Sequence, residues 1–218
     1  QWLARQTLKL LPVHYFMVTF TLPYELRALA RSQPKALYQS MFRVAASVLK
    51  DFAQRKHMGE LGFTAVLHTH SRQRALHPHL HIIVASGGYD SANNNWIKGK
   101  SKYLFNAFAL ASVWRARMLD VIKHHDTLTL THKQSVSIPK KWVVDCRKVG
   151  YGLPALQYLS RYLYRGVLPD KDIVKTTDTT VTFKYKDGQT QKTCYRTLPT
   201  LEFLWLILQH ILPKGLQR

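Results

Sequence analysis

Eleven histidines occur in the 218 residues, and five of them, His68, His70, His77, His79 and His81, fall within one 14-residue window where an even spread would place fewer than one. Neutral imidazole is the commonest protein metal ligand. The spacing suits that use, because residues i and i+2 of a strand point to one face, so His79 and His81 present two rings side by side. His68 and His70 do the same on the segment before them. If the two segments pair, three or four imidazoles converge, and a metal site is the expectation. Leu80, Ile82 and Val84 would then point the other way, into a core. The His-x-His-x-Asp-His pattern of metal-dependent hydrolases fits poorly, since Ile83 stands in the Asp position and Val84 in that of the last His. His77 precedes Pro78, which places it at a turn, and it is given no role.

A second constellation is Tyr158-Leu159-Ser160-Arg161-Tyr162-Leu163-Tyr164-Arg165. On a helix Tyr158, Tyr162 and Arg165 share a face, while Leu156, Leu159 and Leu163 form an opposing stripe that would pack on a sheet. Alone, such tyrosines are ordinary half-buried aromatics with a hydroxyl at the surface. Beside a metal they acquire a use. A phenol has a pKa near 10 and is a poor nucleophile at neutral pH. It can attack a phosphodiester if a cation polarises the phosphoryl oxygen and withdraws charge from the leaving group. Arg161 and Arg165 can hold the phosphate. Together these are the parts of a strand-cleaving enzyme that keeps a DNA end as a phosphotyrosine ester.

Charge supports that substrate class. Thirty-two Lys and Arg against twelve Asp and Glu give +20, which points first to nucleic acid. A membrane surface would need a basic amphipathic helix or a juxtamembrane cluster, and no apolar run approaches the roughly 18 residues that span a bilayer. No membrane partner is expected. Two cysteines, Cys146 and Cys194, exclude a disulfide framework and a four-cysteine zinc site and suit a reducing cytoplasm. The chain opens at Gln1 without the pattern of a signal peptide, as an internal start would. No G-x-x-x-x-G-K-[ST] occurs, so no nucleotide cofactor is expected. None is needed, because exchanging a phosphodiester for a phosphotyrosine ester conserves the bond energy. No histidine has Arg three residues later, against the His-x-x-Arg tyrosine recombinases, and the carboxylates form no evident metal cluster.

The elements that must position these groups follow from pattern. Residues 14–22 read as a strand ending at Pro23, 23–31 and 34–57 as helices, and 63–70 and 79–85 as strands. Ser101 is read as the cap of a helix over 103–124, 142–146 as a strand, and 153–165 as a helix with Pro154 in its first turn. Alternation over 173–196, with Asp187-Gly188 at its centre, predicts a hairpin. Thr200 would cap a helix over 201–212, stopped by Pro213. The expected class is α+β, an antiparallel β-sheet with flanking helices. One domain would span 1–218, with 171–218 as an appended hairpin and helix.

His79-Leu80-His81 resembles the paired histidines of the HUH endonucleases. More narrowly, the chain resembles the two-tyrosine rolling-circle transposases of the ninety-one family of insertion sequences. The resemblance runs through Pro12-Val13-His14-Tyr15-Phe16, Phe20-Thr21-Leu22-Pro23, Ala65-Val66-Leu67-His68-Thr69, His77-Pro78-His79-Leu80-His81, Tyr158-Leu159-Ser160-Arg161-Tyr162, Val181-Thr182-Phe183-Lys184-Tyr185-Lys186-Asp187 and Leu212-Pro213-Lys214-Gly215. It implies a catalytic domain that binds Mg²⁺ or Mn²⁺ through His68, His79 and His81. The domain would act on single-stranded DNA at transposon ends and target. One of Tyr158 and Tyr162 would cleave, leaving a 5′-phosphotyrosine and a free 3′-OH, and the other would serve the second strand or the target. Family members carry a cysteine-rich zinc-binding segment before the position of Gln1. Where they have an aromatic residue, Gly and Gln, this sequence has His70, Ser71 and Arg72; His70 therefore stays beside His68 as the third ligand, with His68 favoured by the match. Imidazole prefers transition metals, which favours Mn²⁺.

A plasmid replication initiator or relaxase of the same chemistry is the near rival. A basic nucleic-acid-binding module with a structural zinc is the rival of another class. Under either, Trp114 beside Arg115 and Arg117, Trp142 beside Lys140 and Lys141, and Tyr185 between Lys184 and Lys186 would be stacking aromatics. The expected location is the cytoplasm, at the nucleoid when acting.

Overall fold

The computed structural model describes residues 2–71, 75–100, 102–131, 137–164, 168–187 and 190–208, with the side chains of 161–164 excepted. Its centre is an antiparallel sheet in the order β2-β3-β1-β6, formed by β1 (Tyr15–Thr21), β2 (Phe63–His70), β3 (Leu76–Ala85) and β6 (Val144–Lys148). The apolar run of β1 follows from being covered on both faces. Phe16, Val18 and Phe20 enter the main core, while Tyr15 and Met17 enter a second cluster on the other side.

The main core is closed by α2 (Arg27–Ser32), α3 (Pro34–Arg55) and α4 (Ala107–His124), which contribute Leu29, Leu37, Met41, Val48, Leu110, Trp114 and Met118. Leu80, Ile82 and Val84 point into it as their alternation predicts. The opposite face carries α5 (Leu153–Tyr164), which lays Ala155, Leu156 and Leu159 on Tyr15, Met17, Val66, Ile83 and Ala85. A short α1 (Trp2–Thr7) lies against α5. Gly152 precedes α5 at φ +88°, and a Cβ there would come within 2.9 Å of Leu10 and Tyr15. Only glycine admits both that backbone and so close an approach to β1.

A small hairpin, β4 (Gly87–Asp90) with β5 (Asn95–Lys98), extends the chain after β3. A separate antiparallel sheet orders β7 (Ile173–Thr176), β8 (Thr180–Lys186) and β9 (Thr193–Pro199) in sequence. Val181, Phe183 and Leu198 of that sheet bury against Phe203 of α6 (Thr200–Leu208). The architecture is α+β with antiparallel sheets and flanking helices.

Several expectations are corrected. The α4 helix begins at Ala107, with Asn106 as its cap accepting from the Ala109 amide at 3.0 Å; Ser101 lies outside the described residues. Strand β6 runs two residues later than predicted, so Trp142 precedes it. The predicted hairpin forms between β8 and β9, and the Asp187 carboxylate accepts from the Thr190 amide at 2.8 Å; Gly188 lies outside the described residues. Trp114 is 0% and Trp142 7% exposed, and both belong to the main core, so neither can stack a base. Lys140 and Lys141 are exposed beside Trp142, whereas Arg115 and Arg117 are half-buried, Arg115 donating to the Pro139 carbonyl and Arg117 pairing with Asp51. Among the described residues no helix is long and apolar enough to cross a membrane.

Candidate metal centre

The site is built on the β2–β3 ladder. His68 stands directly across from His79, and His81 stands between Val66 on β2 and Thr19 on β1. Three imidazoles therefore meet on the face that α5 covers. Ring centroids are 5.1 Å apart for His68 and His79, 4.5 Å for His68 and His81, and 4.9 Å for His79 and His81. One nitrogen of each lies within 4.8 Å of the others, and the three residues could hold a metal ion. His70 is not in this group. The pairing shifts between His68 and His70, where His77 and Pro78 together oppose Thr69, and His70 pairs with Leu76. A bulge there accommodates Pro78, which has no N–H to give a ladder. Strand β3 thus starts earlier than predicted, and His77 lies in it, not in a turn.

Outer contacts orient the rings. His79 Nδ1 donates to the His77 carbonyl at 2.7 Å, which leaves the lone pair on Nε2 for a cation. The Thr19 hydroxyl lies 3.0 Å from His81 Nδ1. Such second contacts fix tautomer and ring angle at metal-binding histidines. Burial favours the neutral form of His79 and His81, the form a ligand needs. Burial first, then the neighbouring His79 and Arg147, push His81 down to about 3. Burial also lowers His79 against the raising effect of its bond to His77. The donor set, three neutral imidazoles with no carboxylate in the group among the described residues, fits a borderline transition cation better than a hard one.

Above the histidines, the Tyr158 ring stands 5.9 Å from that of His81 at an interplanar angle of 89°. Leu156 and Leu159 bury against the sheet as their stripe predicts, but Tyr158 packs against the same cluster, so it lies on the sheet side of α5 and not on an opposing face. Tyr162 lies one turn further along α5; its side chain and that of Arg161, and all of Arg165, lie outside the described residues. The structure thus brings together His68, His79, His81 and Tyr158 of the predicted set. Sequence reasoning missed Thr19 and the Asp145–Arg147 ion pair of β6, which sits across β1 from the histidines. A signal for Thr19 was present: it alternates with Tyr15, Met17 and Thr21 on one face of a strand.

Residues 62–218 match the family described as "Putative transposase" (Y2_Tnp). The "Putative transposase y4qJ" of Sinorhizobium fredii is 30% identical over 243 residues, which cover 100% of this chain and 60% of that protein. The transposase for insertion sequence element IS801 of Pseudomonas savastanoi pv. phaseolicola is 27% identical over 229 residues, covering 97% of this chain and 54% of that protein. The chain thus spans little more than half the length of these curated relatives. A solved bacterial tRNA(His) guanylyltransferase-like protein in complex with ATP aligns over 97% of this chain and 98% of its own at 12% identity and a TM-score of 0.32, a likeness that carries no assignment.

Proposed function

The chain belongs to the transposase family whose pattern spans residues 62–218, and on that premise we propose that it is the catalytic part of a two-tyrosine HUH transposase, a metal-dependent single-stranded DNA endonuclease and strand-transferase. One observation carries this reading: three histidines converge on one sheet face with a tyrosine ring against the third. His68, His79 and His81 would hold a divalent cation, Mn²⁺ in preference to Mg²⁺. When bound, such a cation supplies Lewis-acid polarisation of a phosphoryl oxygen. Three protein ligands, where a structural zinc site takes four, suit a site that admits substrate.

The phenol of Tyr158 or Tyr162 gives up its proton, and its oxygen forms a bond to phosphorus as the bond to the 3′ oxygen breaks. That oxygen takes up a proton and leaves as a free 3′-OH, and the 5′ end stays on the protein as a phosphotyrosine ester. The second tyrosine serves the partner strand or the target. Arg161 and Arg165 hold phosphates beside the tyrosines in sequence, and the net charge of +20 draws the strand in. Residues 1–218 act as one catalytic unit, with the β7–β9 sheet and α6 as an appended part.

The test is incubation with end-labelled single strands from the element's ends, with Mn²⁺ and with a chelator. A covalent protein–DNA adduct should form only with metal and should vanish in the Tyr158→Phe, Tyr162→Phe double variant. Each single variant then shows which tyrosine acts first. Metal binding without any adduct on cognate strands would sink the enzymatic reading.

A further inference from the structure

We propose that Tyr24, Arg27 and His77 form a subsite for one nucleotide of a single strand, beside the histidine triad; this rests on the reading of the triad as a site for single-stranded DNA. Directly after β1, Pro23 leads into a single 3-10 turn, Tyr24–Leu26, and then α2. Leu26, Leu29 and Ala30 are buried in the main core and hold this turn firmly. Tyr24 and Arg27 therefore project from a rigid base. Tyr24 is 72% exposed, and the Arg27 guanidinium carbon lies over one face of its ring, 4.7 Å from the centroid. The other face is left for a base.

Arg27 is joined to the triad. Its Nη2 donates to His77 Nδ1 at 3.0 Å, and the His77 carbonyl holds His79; the His77 and His79 rings are 5.2 Å apart. A guanidinium that donates to an imidazole keeps its full positive charge in need of an anion. Among the described residues Arg27 has no carboxylate partner, and its buried Nε has no hydrogen-bond acceptor. With Nδ1 accepting, a neutral His77 carries its proton on Nε2 and offers a further donor. An open aromatic face, a guanidinium lacking its anion and an imidazole N–H match the base and phosphate of one nucleotide. The strand must be single, because the faces of a base in a duplex are already stacked.

The test is fluorescence anisotropy of a fluorescein-labelled single strand of mixed sequence, with chelator present so that no cleavage is read. Tyr24→Ala and Arg27→Ala should each weaken binding about tenfold, within the range for one stacked base, whereas Tyr24→Phe should bind as the parent does. Binding of the same sequence as a duplex should be unchanged by Tyr24→Ala. A 5-iodouracil strand irradiated on the protein should cross-link to the peptide containing Tyr24. Unchanged single-strand affinity in Tyr24→Ala, an equal loss on duplex, or no single-strand binding by the parent overturns the proposal. Because metal and cleavage play no part in this readout, an absent adduct would sink the enzymatic reading alone. An adduct formed by a parent whose variants bind normally would sink the subsite alone.

Discussion

The Thr19 hydroxyl on β1 stands 3.0 Å from Nδ1 of His81, the residue directly across from it on β3. The contact ties the His81 ring to the neighbouring strand, and it can be removed without changing side-chain shape. Thr19→Val deletes the hydroxyl and keeps the β-branched outline. Mn²⁺ affinity, followed by titration calorimetry, should fall about ten- to a hundredfold while the unfolding midpoint stays near that of the parent. An unchanged affinity would show that Thr19 does not orient the ring.

The ligand set separates two histidines on one strand. His68→Ala should abolish Mn²⁺ binding, because it removes one of three converging nitrogens. His70→Ala should leave it within a few-fold, since His70 lies past the bulge with Nδ1 2.9 Å from the Thr69 hydroxyl. Equal losses in the two variants would place His70 in the site.

Acid should destabilise the metal-free protein through the buried imidazoles. Unfolded histidine titrates near 6.5, while burial holds folded His81 near 3 and His77 near 4. Between those values only the unfolded chain takes up the proton, so stability falls as pH drops from about 6.5 toward 4 and is level above. The urea midpoint in chelator should show this slope, and His81→Gln should flatten it. A midpoint as pH-dependent in His81→Gln as in the parent would assign the slope to other groups.

Leu80 separates the two paired histidines and is 0% exposed on the opposite face of the sheet. Leu80→Ala should cost about 2–5 kcal/mol in urea unfolding. Tyr195→Ser, at a residue 63% exposed on β9, should stay within about 0.5 kcal/mol. Similar losses for the two would contradict the burial pattern.

How far the site was legible depended on the range of each signal. The alternation His79, Leu80, His81, Ile82 announced one polar and one apolar face, and the structure keeps it. The stripe Leu156–Leu159 announced which face of α5 meets the sheet. Charge beside an aromatic residue was a poor guide at Trp114 and Trp142, because a basic neighbour reports its own exposure and not that of the ring next to it. The Arg27–His77 contact, 50 residues apart in the chain, left no local trace at all.

From the sequence alone came the chemistry at hand: imidazoles in pairs at strand spacing, tyrosines at helix spacing, a cationic excess, and the class of fold. These are local or compositional properties, and backbone geometry fixes which way successive side chains point within one element. Tertiary structure alone decided that His68 and not His70 faces His79, that Thr19 meets His81, and that Tyr158 stands against the triad. Those are matters of register and docking. They are settled when the sheet buries apolar residues on both faces at once and a bulge accommodates Pro78, and no single segment carries that balance.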